Sequence, residues 1–254
     1  MAAQGKVIIV TGASRGIGLA IAEYLLQKQN RLVVVARTKQ PLEELERKYP
    51  NQVAPLAGDF SDFSLGKKAV DLAKSTWNQL DGLVVNHGTL SPVKRIADSS
   101  AEDWRAGFDT NFFSAVAIVK AALPDLRVSK GRIVFTSSGA ATGAYVGWGP
   151  YGASKAAMNH LTLTLASEEP DVTSISIRPG VVDTAMQQDL REFHHKSMDS
   201  EEVQKFFNLK SSNQLLRPEQ PGHVMAKLVL DAPRDLSGRF ISWNDPALSA
   251  FQES

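Results

Sequence analysis

The fold is decided by the segment TGASRGIG, residues 11–18, which follows the apolar run Lys6–Val10 and opens a stretch of helical periodicity. This order predicts a strand, a glycine-rich turn and a helix. Glycine permits a tight exit from the strand and a close approach of the backbone to an anion, and a helix N-terminus favours negative charge. The segment therefore predicts a phosphate-binding turn at the first strand of an α/β fold.

Six further strand-like runs follow, and several are apolar at consecutive positions, as is typical of parallel strands covered on both faces: Arg31–Val35, Gln52–Leu56, Gly82–Val85, Gly131–Thr136, Thr173–Ile177 and Arg239–Ser242. Helical periodicity separates them: Gly18–Gln27, Pro41–Lys48, Leu65–Asn78, Ala101–Leu123, Tyr151–Ser167 and Gln220–Leu230. The alternation predicts an α/β chain with a seven-stranded parallel sheet flanked by helices, as one Rossmann-type doubly wound domain over residues 1–254.

Composition narrows the class of partner. A net charge of +1 gives no electrostatic case for nucleic acid or an acidic membrane surface, so we expect a small-molecule partner. There is no cysteine, which excludes disulfides and thiolate ligands. No apolar run approaches the roughly 20 residues that span a bilayer, and no signal-peptide pattern opens the chain, so we expect a cytoplasmic protein. Adjacent His194 and His195 lack metal-ligand spacing, so we expect no metal.

The pattern Thr-Gly-x-x-x-Gly-x-Gly of residues 11–18 resembles the cofactor motif of the short-chain dehydrogenase/reductase family, and the resemblance extends from Lys6 to Asp245. It implies a nicotinamide dinucleotide cofactor. Residues 58–62 resemble the adenine-contacting turn of the family, and residues 86–88 resemble its Asn-Ala-Gly motif, with His87 in place of alanine. The resemblance implies these cofactor-binding residues: Gly12, Ser14, Arg15, Gly16, Ile17, Gly18, Arg37, Thr38, Asp59, Phe60, Asn86, Gly88, Tyr151, Lys155, Pro179, Gly180, Val182 and Thr184.

The end of the second strand predicts which form of the cofactor is preferred. NAD-selective sites place a carboxylate there, and this chain has Ala36-Arg37-Thr38 instead. A carboxylate would repel a 2′-phosphate, whereas Arg37, flanked by Arg15, can make charge-assisted hydrogen bonds to it. We therefore expect NADP(H).

The catalytic residues are expected at Ser138, Tyr151, Lys155 and Asn111, which match the catalytic set of the family in order and type. Tyr151 and Lys155 are four residues apart at a helix start, so both project from one face. Carbonyl reduction needs a proton donor, and we expect cationic Lys155 to lower the pKa of Tyr151 and to hold the nicotinamide ribose. We expect Ser138 to bind the carbonyl oxygen and Asn111 to hold a proton-relaying water.

Two stretches indicate the class of substrate. Residues 147–151 and 183–188 resemble the corresponding stretches of sepiapterin and benzil reductases. We expect reduction of one carbonyl of an aromatic or vicinal diketone such as benzil, with Trp148 and Met186 in the substrate pocket, and aromatic lining from Tyr145, Phe206, Phe207 and Trp243. The irregular stretch 187–218 is expected to be a loop or lid over the site. A homodimer or homotetramer is what the family resemblance implies.

Two alternatives stay open. A sepiapterin-type pterin reductase would need an acidic residue where Ser242 stands, although Asp245 lies three residues on. A non-catalytic NADP(H)-sensing protein could keep the glycine turn and Arg37 but would not need Tyr151 and Lys155.

Overall fold

A computed structural model describes residues 5–252, apart from the side chain of Lys196. Seven parallel strands form one sheet in the order β3-β2-β1-β4-β5-β6-β7. They are Val7–Thr11 (β1), Arg31–Ala36 (β2), Val53–Ala57 (β3), Gly82–Val85 (β4), Arg132–Thr136 (β5), Thr173–Arg178 (β6) and Phe240–Ser242 (β7). The predicted sheet is confirmed, and the strand ends differ from the predicted ones by one residue at most.

Helices cover both faces of the sheet. The α-helices are Gly16–Gln27 (α1), Lys39–Lys48 (α2), Ser64–Trp77 (α3), Ala101–Phe108 (α4), Ser114–Ser129 (α5), Gly149–Glu168 (α6), Ala185–Glu192 (α7), Ser200–Ser211 (α8) and Glu219–Asp231 (α9). Alternate residues of β1 enter two cores: Val10 packs with α1 and α9, whereas Ile9 packs with α3, α5 and α6. Burial on both faces explains why the strands are apolar at consecutive positions. That the chain forms a single domain stays a prediction.

Two expectations about the elements are wrong. The helix expected at Ala101–Leu123 is divided by a π-helical turn at Asp109–Phe113, and its second part continues through Pro124 to Ser129. The stretch 187–218, expected to be irregular, is largely α7 and α8 joined by a 3-10 turn at His194–Ser197. Its apolar residues are spaced for short helices, and Leu190 and Phe206 are buried against the loops above the sheet.

From β1, the chain first adds β2 and β3 on one side of the sheet and then adds β4 to β7 on the other side, so the topology switches between β1 and β4. In doubly wound sheets, ligands bind beyond the carboxyl ends of the strands at such a switch point. This edge carries the glycine turn after β1, residues 86–88 after β4 and Ser138 after β5. No helix among residues 5–252 is long and apolar enough to cross a membrane.

Candidate active site

A cleft of about 1300 Å³ lies over the carboxyl ends of the strands. Nearly every residue that the sequence analysis assigned to the cofactor, to catalysis or to the substrate lines it, including Tyr151, Lys155, Ser138, Trp148 and Met186. The four that do not line it are Gly18, Asn111, Phe207 and Trp243. One continuous cleft thus joins the glycine turn to the Tyr-Lys pair.

The glycine turn has the backbone that a phosphate site needs. Gly12 and Gly16 have φ angles of 67° and 56°, a region that side chains disfavour. A Cβ atom on Gly16 would stand 3.1 Å from the methyl group of Thr184, which also lines the cleft. On Gly18, a Cβ atom would lie only 2.1 Å from the Gly12 carbonyl oxygen, so Gly18 permits helix α1 to pack against the turn. The turn therefore fits a dinucleotide pyrophosphate.

Arg15, Arg37 and Thr38 are exposed at the mouth of the cleft. Within the described part of the chain, neither arginine forms an ion pair, so both guanidinium groups are available to a ligand. Asp59 lies on the same rim. A hydrogen bond from the backbone N–H of Ser61, aided by the charge of Arg37, lowers the pKa of the Asp59 carboxyl. Asp59 is therefore an anionic hydrogen-bond acceptor at neutral pH.

Tyr151 is the third residue of α6, after Pro150, which suits the first turn of a helix. Burial raises the pKa of its phenol, and a hydrogen bond with the side chain of Ser138 partly opposes that rise. The expectation that Lys155 lowers the pKa of Tyr151 is therefore not met by the chain alone. The Lys155 ammonium stands 5.8 Å from the centre of the ring, and the pKa of the phenol follows from its loss of water and from the Ser138 hydrogen bond instead.

The side chain of Lys155 is held in the cleft by a hydrogen bond to the backbone of β5. Its Nζ donates to the Thr136 carbonyl oxygen at 2.7 Å. Burial lowers the pKa of Lys155 to about 8. The lysine is therefore a cation at neutral pH that loses its proton under mildly alkaline conditions.

Asn111 lies on the π-helical turn and is almost fully buried. Its Oδ1 accepts from the backbone N–H of Thr89 at 2.7 Å, and its Nδ2 donates to the Thr89 carbonyl oxygen at 2.9 Å and to Ser154 Oγ at 3.3 Å. π-helical turns often occur at functional sites. These contacts fix Asn111 beside Gly88, where a Cβ atom would lie 3.2 Å from Oδ1 and 3.6 Å from Lys155 Nζ.

Aromatic side chains form one wall of the cleft near Tyr151. The indole of Trp148 stacks on Tyr145, with ring centres 4.7 Å apart, and on Phe206 of α8, 5.8 Å apart. Its ring meets that of Tyr151 edge to face at 5.8 Å. Phe207 is 42% exposed and lies outside the cleft, as does Trp243. Their expected place in the pocket is wrong, because Phe207 is on the outer side of α8 and Trp243 packs on the core below β7.

Several residues of the cleft were missed in the sequence. Leu90, Leu190, Arg178 and Glu102 line it, and they stand in no recognisable motif. His87 lines it too, but its ring is mostly buried and contacts Thr11 and Ser114. The one signal in the sequence that could have indicated this contact was the presence of histidine at position 87, where the family motif has alanine.

The remaining candidates lie elsewhere. Asp245 caps the 3-10 turn Pro246–Phe251 by accepting from the Ala247 backbone N–H at 2.9 Å, and it does not line the cleft. His194 Nε2 lies 3.5 Å from Ser91 Oγ. Between Gly5 and Gln252, no three His, Asp or Glu side chains gather as a metal site would require.

Comparison with known sequences gives one family throughout. The short chain dehydrogenase family matches residues 6–195. An uncharacterized oxidoreductase of Saccharomyces cerevisiae is 43% identical over 98% of this chain and 99% of its own. A benzil reductase of the same yeast, which forms (S)-benzoin, is 41% identical over 98% of this chain and 100% of its own.

Solved structures agree with this. A short-chain dehydrogenase/reductase from Saccharomyces cerevisiae has a TM-score of 0.96 at 42% identity, covering 98% of this chain and 100% of that one. L-sorbose reductase from Gluconobacter frateurii, solved with NADPH and L-sorbose, has a TM-score of 0.82 at 25% identity, covering 94% of this chain and 95% of that one. Because sequence, fold and cleft agree over almost its whole length, the chain belongs to the short-chain dehydrogenase/reductase family of oxidoreductases.

Proposed function

We propose that this protein is an NADPH-dependent carbonyl reductase that reduces one carbonyl of an aromatic or vicinal diketone, such as benzil, to a chiral α-hydroxyketone. One observation carries the proposal: Tyr151, Ser138 and Lys155 line the same cleft as the glycine turn and the aromatic wall. A proton donor, a cofactor site and an apolar substrate site therefore adjoin one another.

The residues of the cleft fit the cofactor. The glycine turn would receive the pyrophosphate at the N-terminus of α1, and Arg15 and Arg37, which line the same cleft, would bind the 2′-phosphate. Asp59 and Phe60 would contact the adenine, and Asn86 and Gly88 would contact the ribose. Pro179, Gly180, Val182 and Thr184 line the part of the cleft that would hold the nicotinamide. The related L-sorbose reductase binds NADPH, which supports the same choice here. When bound, the cofactor supplies the hydride that reduces the carbonyl carbon.

The side chains of the site place and protonate the substrate. Tyr151 donates its phenolic proton to the carbonyl oxygen, and its raised pKa keeps that proton in place at neutral pH. Ser138 donates to the same oxygen and orients it. Lys155 holds the ribose of the nicotinamide and, as a cation, favours the phenolate that remains. Asn111 keeps one lone pair of Oδ1 for a water that returns a proton towards Lys155.

The aromatic wall supports the choice of a diketone. Trp148 and Met186 line the cleft beside Tyr151, and Phe206 of α8 closes that side. A planar aryl ketone can stack there with its carbonyl near the phenol. The benzil reductase of yeast, 41% identical to this chain, is consistent with that substrate. A pterin substrate is less well supported, because Asp245 is engaged as a helix cap away from the cleft.

The deciding experiment follows NADPH absorbance with benzil and a panel of other carbonyl compounds, with chiral chromatography of the product. We expect turnover of benzil to a single enantiomer of benzoin. Tight NADPH binding without turnover of any carbonyl compound would instead support a cofactor sensor. A cytoplasmic location and a homodimer or homotetramer stay predictions, which fractionation and light scattering would test.

A further inference from the structure

His87 stands where three parts of the cofactor cleft meet. It follows Asn86 after β4, and only 8% of its surface is exposed. Its ring stacks on Phe60, with ring centres 3.7 Å apart and planes tilted by 8°. Nδ1 lies 2.8 Å from Thr11 Oγ1 at the end of β1, and Nε2 lies 2.8 Å from Ser114 Oγ at the start of α5. The imidazole thus touches the adenine turn, the glycine turn and the helix that follows the π-helical turn.

The hydrogen bonds around the ring determine its tautomer. Ser114 donates its hydroxyl proton to the Thr110 carbonyl oxygen at 2.7 Å, so it can only accept from His87. Nε2 therefore carries the proton and donates to Ser114. Nδ1 is then the acceptor, and the Thr11 hydroxyl donates to it at 2.8 Å in preference to its longer contact of 3.1 Å with the Val84 carbonyl oxygen. Burial, together with the nearby charge of Lys155, lowers the pKa of His87 to about 3, so the ring is neutral.

This chain of contacts runs between the two halves of the site. At one end, Thr11 precedes Gly12 and also accepts from the backbone N–H of Asn86 at 2.9 Å. At the other end, Ser114 bonds to Thr110, the neighbour of Asn111 on the π-helical turn. A rigid, fully hydrogen-bonded ring in a buried position holds such segments in one arrangement. An alanine at this position would make none of these side-chain contacts.

We infer that His87 is a positioning residue that fixes the glycine turn and the adenine turn relative to the π-helical turn that carries Asn111. The inference rests on the proposed function, because it assigns to His87 the alignment of the cofactor with the proton-transfer residues. Each contact of His87 has its own part in this: Ser114 connects it to the π-helical turn, whereas Thr11 and Phe60 connect it to the glycine turn and the adenine turn.

The test uses one variant that breaks a single connection and one that breaks both, with NADPH titrated by fluorescence and benzil as the substrate. S114A breaks only the connection to the π-helical turn. We expect kcat at saturating NADPH to fall roughly tenfold, the size of one lost buried hydrogen bond, with the Kd of NADPH changed less than about threefold. H87L breaks both connections, so we expect kcat to fall and the Kd of NADPH to rise, each by roughly tenfold.

Two further variants separate positioning from simple stability. H87Q keeps a side-chain amide that can donate to Ser114, so we expect it to restore kcat to within about threefold of the wild type. T162V removes a buried hydroxyl that lies 2.7 Å from Ser176 Oγ, away from the cleft, and we expect it to lower the melting temperature with kcat and Kd unchanged.

Wild-type kcat in S114A would overturn the inference, whatever happens to its melting temperature. This result is distinguishable from failure of the proposed function, because that failure appears in the wild type. A wild-type protein that neither binds NADPH nor reduces benzil would refute the proposed function, and the inference about His87 would fall with it.

Discussion

The two ionisable side chains at the centre of the cleft are affected by burial in opposite ways. Burial raises the pKa of Tyr151, so its phenol stays protonated at neutral pH. Burial lowers the pKa of Lys155 to about 8, because the cation loses its hydration. A protonated phenol beside a cationic lysine is the state that suits reduction of a carbonyl, and it exists at neutral pH and below.

The pH dependence of activity follows from Lys155. Below a pH of about 8 the lysine is charged, and above it the charge that favours the phenolate is lost. We expect kcat/KM for benzil reduction to be level between neutral pH and that value, and then to decline. Stopped-flow rates across this range in a constant ionic strength buffer would measure it. A rate that stays level to about pH 10 would contradict the role given to the charge of Lys155.

The choice of cofactor depends on Arg37. In R37D, a carboxylate would repel the 2′-phosphate that the guanidinium attracts, and we expect the ratio of NADPH to NADH efficiency to fall by roughly a hundredfold or more. R47D, which makes the same charge change on an exposed residue of α2 outside the cleft, should leave the ratio alone. An unchanged ratio in R37D would refute the argument for NADP(H) selectivity.

Helix α8 shows how an element shapes the substrate site. Phe206 is 3% exposed and stacks on Trp148, whereas its neighbour Phe207 is 42% exposed and outside the cleft. F206A should raise the KM for benzil roughly tenfold, since it removes an aromatic contact from the wall. F207A is the matched control on the same helix and should keep the wild-type KM. Equal KM values in the two variants would show that α8 does not set substrate binding.

The elements differ in how well the sequence predicts them. The seven strands and their neighbouring helices follow from periodicity, because β-branched runs and helical spacing are local signals. The π-helical turn at Asp109–Phe113 is not local: it depends on the side-chain contacts of Asn111 and Ser114 with distant segments. Helices α7 and α8 were missed because their apolar faces are short and pack on loops rather than on the sheet.

Over the whole molecule, the cleft gathers residues at or just beyond the carboxyl ends of β1 to β6, together with residues of α1, α2, α4 and α6 to α8. A ligand that binds only this assembled cleft stabilises the entire fold. NADPH at a hundred times its Kd should therefore raise the melting temperature by about 5 to 10 °C, from roughly 2.7 kcal/mol of linkage. Differential scanning fluorimetry would show this shift in the wild type and its loss in R37D. An equal shift with NADH would argue against selectivity.

Separation along the chain determines which parts of the site can be predicted from the sequence. Gly12, Tyr151 and Lys155 lie in short motifs with fixed spacing, so their place in the cleft could be predicted. The aromatic wall and the contacts of His87 join segments far apart in the chain, such as Thr11 and Ser114. Only the assembled fold brings those side chains together.

The central claim is that Tyr151 protonates the substrate, and Y151F tests it most directly. The phenylalanine keeps the ring against Trp148 and removes only the hydroxyl. We expect Y151F still to bind NADPH, while benzil reduction at saturating NADPH falls by roughly a hundredfold or more, as for loss of a general acid. Y151F that reduces benzil at the wild-type rate would contradict the account.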